Sequence, residues 1–222
     1  MTVPPDPASS NSPAGYGVGT VRVAPGGTLS WVGTLADGTP VTQSSALSKD
    51  GYWPLFVGIP AGNGLIISWM QFTNPPNSVS GQLVWSKSAV PRASYYPGGF
   101  TNSVVAKAVP YLAPASGHRV LPLNNGDGAL VFSGGGLSGL FTNLFNLNLD
   151  NRVTTVPADK LSLSLTPSSG WFKGRATDPL TRKSFSFQGV LNQTDQVGQG
   201  LFLGPISNGQ GQAGAVNLNP AP

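Results

Sequence analysis

The sequence predicts an all-β fold: an antiparallel meander barrel, or two packed sheets curled towards closure, with an internal pseudo-twofold duplication. Three observations carry this. Only 9% of the 222 residues are charged and all eight acidic residues are aspartate, so the Glu and Lys that support long surface helices are scarce. The 30 glycines and 21 prolines fall between apolar runs, as turn punctuation for short strands. The chain also matches itself over four consecutive strand-like segments.

The strands follow from period-2 alternation bounded by turn signals. The first half carries them at 17–24, 27–36, 39–47, 52–58, 64–73, 78–87 and 100–109, and the second at 128–133, 141–149, 151–156, 160–166, 170–177, 183–192, 198–204 and 212–218. Asp37-Gly38, Asp50-Gly51, Asn63-Gly64, Asn125-Gly126, Asp127-Gly128 and Asn208-Gly209 are hairpin dipeptides, because they tolerate the positive φ that tight turns demand. Gly15 to Gly19, GYGVG, opens a strand rather than a phosphate loop, since no strand precedes it and no helix pattern follows. The Gly-Leu-Phe stretch from Leu137 to Phe145 has room for one helical turn.

Thr20–Gly58 aligns with Leu161–Gly204 through a few small gaps. Val21 and Val23 match Leu163 and Leu165, Gly33 matches Gly174, Asp37 matches Asp178, and Leu55-Phe56-Val57-Gly58 matches Leu201-Phe202-Leu203-Gly204. Alternation that survives duplication marks inward positions, because a one-residue slip turns a core face outward. Phe172, Gly174 and Ala176 then share the core phase of Trp31, Gly33 and Leu35, and Trp171, Lys173 and Arg175 point out. Trp31 with Leu29 and Trp85 with Leu83 read as core, and Trp69 shares a phase with Leu65 and Ile67. Trp53, Tyr95 and Tyr96 lie near turns, where exposure and packing are both open.

This organisation reads as a Pro/Ser-rich linker or tail over 1–14, a single all-β domain over 15–218 with repeat units 20–58 and 161–204, and a C-terminal linker over 219–222. The signatures GTLADGTPVTQSSALSKDGYWPLFV, YYPGGF at Tyr95–Phe100, and SGWFKGRATDPLTRKSFSFQGVL followed by GQGLFLG resemble β-rich modules of large secreted or surface proteins of environmental bacteria. The resemblance implies an exported context and no assigned chemistry.

Catalytic sets are hard to assemble. Asp37, Asp50 and Asp127 precede glycine and Asp178 occupies the turn equivalent to Asp37, which is the structural use of aspartate. His118, the only histidine, sits in a loop, and GGGLSGL lacks the spacing of a nucleophile elbow. One histidine and no cysteine exclude imidazole and thiolate metal clusters. Oxygen-ligated calcium at Asn124–Gly128 stays open beside a plain hairpin. The Asn192-Gln193-Thr194 sequon is a three-residue match only. The net charge of +4 is dispersed, densest at Lys173, Arg175, Arg182 and Lys183, with no basic run of the nucleic-acid type. No apolar stretch reaches membrane-spanning length.

The expectation is therefore a non-catalytic structural or adhesive module of a bacterial extracellular or cell-surface protein, needing no cofactor or metal. Its partners are neighbouring domains, like subunits or polysaccharide, not nucleic acid. The alternatives are a carbohydrate-binding module and a filament subunit whose N-terminal segment pairs along a neighbour's sheet edge. An outward Trp171 beside Lys173 and Arg175 suits a sugar, whose apolar face covers an aromatic ring while donors bind its hydroxyls. Trp53, Tyr95 and Tyr96 are the candidate companions.

Overall fold

The computed structural model describes residues 1–73, 78–157 and 160–221, which form sixteen antiparallel strands in two eight-stranded sheets. The first comprises β1 (Thr2–Val3), β2 (Gly17–Val23), β3 (Thr28–Thr34), β4 (Pro40–Ala46), β5 (Tyr52–Gly58), β6 (Gly64–Phe72), β7 (Val79–Lys87) and β8 (Phe100–Ala108). The second comprises β9 (Asp127–Gly134), β10 (Phe141–Leu147), β11 (Val153–Thr155), β12 (Ser162–Thr166), β13 (Trp171–Thr177), β14 (Ser184–Asn192), β15 (Val197–Leu203) and β16 (Ala213–Pro220). All fifteen predicted strands are present. The segment 137–145 instead enters β10, and the short 3₁₀ turns lie at Pro60–Gly62 and Asn124–Gly126.

Each sheet curls into a nearly closed barrel whose first and last strands meet, β1 with β8 and β9 with β16. Each leaves one seam between consecutive strands, β4 and β5 in the first barrel and β11 and β12 in the second. Side chains stitch both seams. Gln43 on β4 donates to Pro54 O at 2.8 Å and accepts from Trp53 Nε1 at 2.9 Å, and Thr155 Oγ1 donates to Leu161 O at 3.1 Å. Such bonds occupy backbone groups that an open edge would leave bare.

The span 15–218, read from the sequence as one domain, is shared between these barrels. The span 1–14, read as a linker, contains β1, which lies between β2 and β8 and completes the first barrel. It then crosses to the second barrel, where Ser12 and Pro13 are buried and Ala14 N donates to Ala213 O. Of the expected linker 219–222, residues 219 and 220 belong to β16 and Pro222 lies outside the described residues.

Eight-stranded barrels are just wide enough for side chains to fill, and the two fillings differ. Trp31, Trp53 and Trp85 occupy the first with Leu29, Leu55, Ile66, Met70 and Leu83. Trp31 and Trp53 meet edge to face, with centroids 6.3 Å apart. The second holds Phe132, Phe172, Phe185, Phe187 and Phe202, with Phe185 stacked on Phe202 at 4.4 Å. Glycine makes room for these rings: Phe172 faces Gly189 and Phe187 faces Gly174 across the β13–β14 register. A Cβ at Gly189 would collide with the Phe172 ring. Burying each ring contributes on the order of 2–3 kcal/mol.

The sequence repeat covers β2–β5 and β12–β15 but does not preserve their pairing. β4 and β5 flank a seam, whereas their counterparts β14 and β15 pair over six residues. The expected phase also breaks at the last strand. Leu55 faces the first core and Phe56 is 58% exposed, while Phe202, its aligned partner, is 1% exposed inside the second core and Leu201 faces out. Both segments are continuous apolar runs, so their alternation carries no face information.

Candidate functional site: the clefts between the barrels

The two barrels meet along outward positions of β2, β13, β14 and β15. Val18 packs with Val190 and Leu201, and Tyr16 and Trp171 close around them. Across this contact Trp171 Nε1 donates to Thr20 Oγ1 at 2.9 Å, and Tyr16 N donates to Gly200 O at 3.2 Å. Trp171 is thus outward from its own barrel, as the repeat predicts, yet its indole is engaged by the other barrel.

Tyr95 and Tyr96, in the loop between β7 and β8, form a second clamp. Tyr95 Oη donates to Gly204 O at 2.8 Å, Ala213 N donates to Tyr96 Oη at 2.8 Å, and Gly211 N donates to Ser94 O at 2.8 Å. Tyr96 has φ 53°, a left-handed conformation that costs a bulky residue free energy and persists only where its surroundings fix it. Here the Ala213 bond, the edge of Phe100 with centroids 5.4 Å apart, and Lys87 Nζ 6.0 Å from the ring centroid hold it. Burial is the main cause that pushes the Tyr96 phenol up to about 12; the Ala213 bond opposes this, and Asp37 and Tyr95 reinforce it.

Lys87 also reaches Asp37 Oδ2 at 2.6 Å, with side-chain exposures of 13% and 0%. Asp37 Oδ1 accepts from Thr39 N at 3.0 Å, so the carboxylate is satisfied on both oxygens, as a buried charge requires. The equivalent Asp178 is buried too. Burial works against its charged form, but the Thr181 hydroxyl and the Leu180 and Thr181 amides bond to the carboxylate and hold its pKa below the usual aspartate value.

Of the six residues singled out from the sequence, Trp171, Tyr95 and Tyr96 join the barrels. Trp53 is 0% exposed, so it has no free face on which a sugar could stack; its inward phase with Leu55 and Val57 overrides its position beside a turn. Lys173 and Arg175 are exposed on β13. Lys173 lines a cleft of about 690 Å³ between the barrels, a size usual for ligand sites. Thr34 and Gly38 form its wall on the first barrel, and Ser162, Ser164, Ser186 and Gln188 present hydroxyls and an amide from the second. Leu203 supplies apolar surface, while Leu201 is buried against Val18 and Val190. The register places Lys173 between Ser164 and Gln188, and Arg175 between Ser162 and Ser186.

The chain matches no protein-family model, no curated protein and no solved structure.

A smaller cleft of about 290 Å³ lies on the other side of the Thr20 contact, with Arg22 and Lys107 among its walls. Neither cleft has a carboxylate in its wall. The described aspartates are engaged elsewhere. Asp6 and Asp150 accept backbone amides two residues on, Asp50 pairs with Lys49, Asp127 accepts from Asn146, and Asp195 accepts from Asn192. His118 is exposed, and its imidazole Nδ1 bonds to Ser116 O. Among the described residues no group of three or more metal-ligating side chains converges, and no helix is long and apolar enough to cross a membrane. The Ser162, Ser164, Ser186 and Gln188 wall escaped the sequence reading, although its positions alternate with core residues Leu163, Leu165, Phe185 and Phe187.

Proposed function

We propose that this chain is a non-catalytic adhesive module of a bacterial extracellular or cell-surface protein, and that the larger inter-barrel cleft holds a segment of polysaccharide. The observation that carries this reading is the cleft itself: hydroxyls and an amide beside the Leu203 side chain, on strands fixed by two barrel-to-barrel clamps. Sugars present both hydroxyls and apolar ring faces, and a pre-formed site avoids the ordering cost of assembling one on binding. The turn-bound aspartates support a binding role over acid–base chemistry, which needs two carboxyl groups facing one substrate. The charge-poor surface supports an exported setting.

The test is retention on immobilised polysaccharides and a glycan array. The unaltered protein binds, the double variant Ser186→Ala with Gln188→Ala loses retention, and Trp69→Ala on the far side of the first barrel keeps it. Equal retention by the cleft variant would overturn the assignment.

A second reading, a filament subunit, is favoured by one surface. Phe56, Ile67 and Val84 share a cross-strand row, with Pro54 and Trp69 paired beside them, and Trp69 is 66% exposed. The N-terminal segment is engaged by its own barrels, so association through this face replaces the edge pairing expected from the sequence. Concentration-dependent sedimentation abolished by Trp69→Ser supports it, and a strict monomer at all concentrations excludes it.

A further inference from the structure

We infer that the larger inter-barrel cleft selects acidic saccharides, those carrying carboxylate or sulfate groups, over their neutral counterparts. This rests on the proposed polysaccharide site and adds its ligand class. Lys173 stands in the cleft wall and Arg175 two residues along the same outward face, flanked by the cleft residues Ser162 and Ser186. Among the described residues the ion pairs are Lys49–Asp50, Lys87–Asp37 and Arg152–Asp150, so neither cation is neutralised by a described carboxylate. The wall contributes no negative charge. An ammonium in the cleft wall and a guanidinium beside it on the same strand face, with no anion to answer them, concentrate negative ligands there.

The same face supplies what the rest of such a ligand needs. Ser162, Ser164, Ser186 and Gln188 offer donors and acceptors for ring hydroxyls, and the half-buried Leu203 offers apolar contact. Two cations suit a chain bearing sparse acidic groups. Single-stranded nucleic acid is the weaker match, since it carries a phosphate at every nucleotide and is held by aromatic rings on which bases stack. The only aromatic side chains in this wall, Phe187 and Phe202, are buried in the barrel core.

The experiment is an array of matched oligosaccharide pairs, neutral against carboxylated or sulfated, with a single-stranded oligonucleotide alongside and titration of the strongest hit. The protein is compared with Lys173→Gln/Arg175→Gln and with Arg182→Gln/Lys183→Gln, all shown folded by their denaturation curves. The expected result is at least tenfold preference for the acidic member of a pair, weakened by added salt. Lys173→Gln/Arg175→Gln removes the preference, and Arg182→Gln/Lys183→Gln retains it. Equal binding of both members, still lost in the Ser186→Ala/Gln188→Ala variant, overturns the acidic preference and leaves the polysaccharide site standing. Preference unchanged by Lys173→Gln/Arg175→Gln, or tighter binding of the oligonucleotide, also overturns the inference. No saccharide bound by the folded protein overturns both readings.

Discussion

The indole nitrogen of Trp171 donates to the hydroxyl of Thr20 over 2.9 Å, joining residues 151 positions apart and two separate barrel walls. Trp171→Phe keeps most of the apolar contact with Val18, Val190 and Leu201 but removes this bond. The expected loss is about 1 kcal/mol. Trp171→Ala costs about 3 kcal/mol through the lost packing. Urea denaturation read at both barrels checks this: the alanine variant separates the transitions of the two barrels, and the phenylalanine variant does not.

The Asp37–Lys87 pair predicts an asymmetric double-mutant cycle. Lys87→Met strands a fully buried carboxylate and costs about 3–5 kcal/mol, whereas Asp37→Asn with Lys87→Met removes both charges and recovers much of that loss. Chemical denaturation of the four proteins gives the coupling directly. A loss in the double variant equal to the sum of the two single losses would show that the pair is worth little.

Asp178 sets an acid limit. Its folded pKa lies below the ordinary aspartate value of 3.8, so its contribution is fully present above that value and is lost as pH falls through the folded pKa. Asp178→Asn is expected to be less stable than the unaltered protein at pH 6 by about 1 kcal/mol, from weakened turn bonds. The gap should shrink in denaturation curves recorded below pH 4.

Tyr96 sets the corresponding alkaline limit. Its phenol is pushed up to about 12 from 10.0, so the neutral form is favoured in the folded state. Stability is retained below pH 10 and declines as pH rises through 10 towards 12, where the unfolded chain ionises first. Tyr96→Phe lacks the Ala213 bond at every pH and should show a shallower decline. Parallel curves for the two proteins would contradict the assignment.

The ring-over-glycine packing of the second barrel predicts that Gly189→Ala costs about 1–3 kcal/mol by forcing the Phe172 ring aside. Shortening that ring in Gly189→Ala/Phe172→Leu should recover part of the loss. Thermal melts of the three proteins decide this.

Most of the fold was legible because alternation and turn dipeptides are local properties. The inward row of Phe172, Gly174 and Ala176 follows from them, as do cores built on Trp31 and Trp85. The two-residue strand β1 was not legible: Thr2 and Val3 are too few to show a period, and their partners on β2 and β8 are distant in sequence. The division into two barrels was hidden for a related reason, since closure is a matter of which distant strands pair. Trp171 shows the limit most clearly. Periodicity fixes which side of a strand a residue faces, but only the second barrel determines whether that side meets solvent. Lys173 and Arg175 kept their predicted exposure because no element covers them, and of the four cations densest in the sequence only Lys173 lines the cleft.

The most direct test of the whole account is a map of amide chemical-shift changes on isotopically labelled protein as an oligosaccharide from the array is added. The shifts are expected to concentrate at Ser162, Ser164, Lys173, Ser186 and Gln188, with Thr34 and Gly38 across the cleft. Shifts confined to Phe56, Ile67 and Trp69, with the inter-barrel strands unmoved, would contradict it.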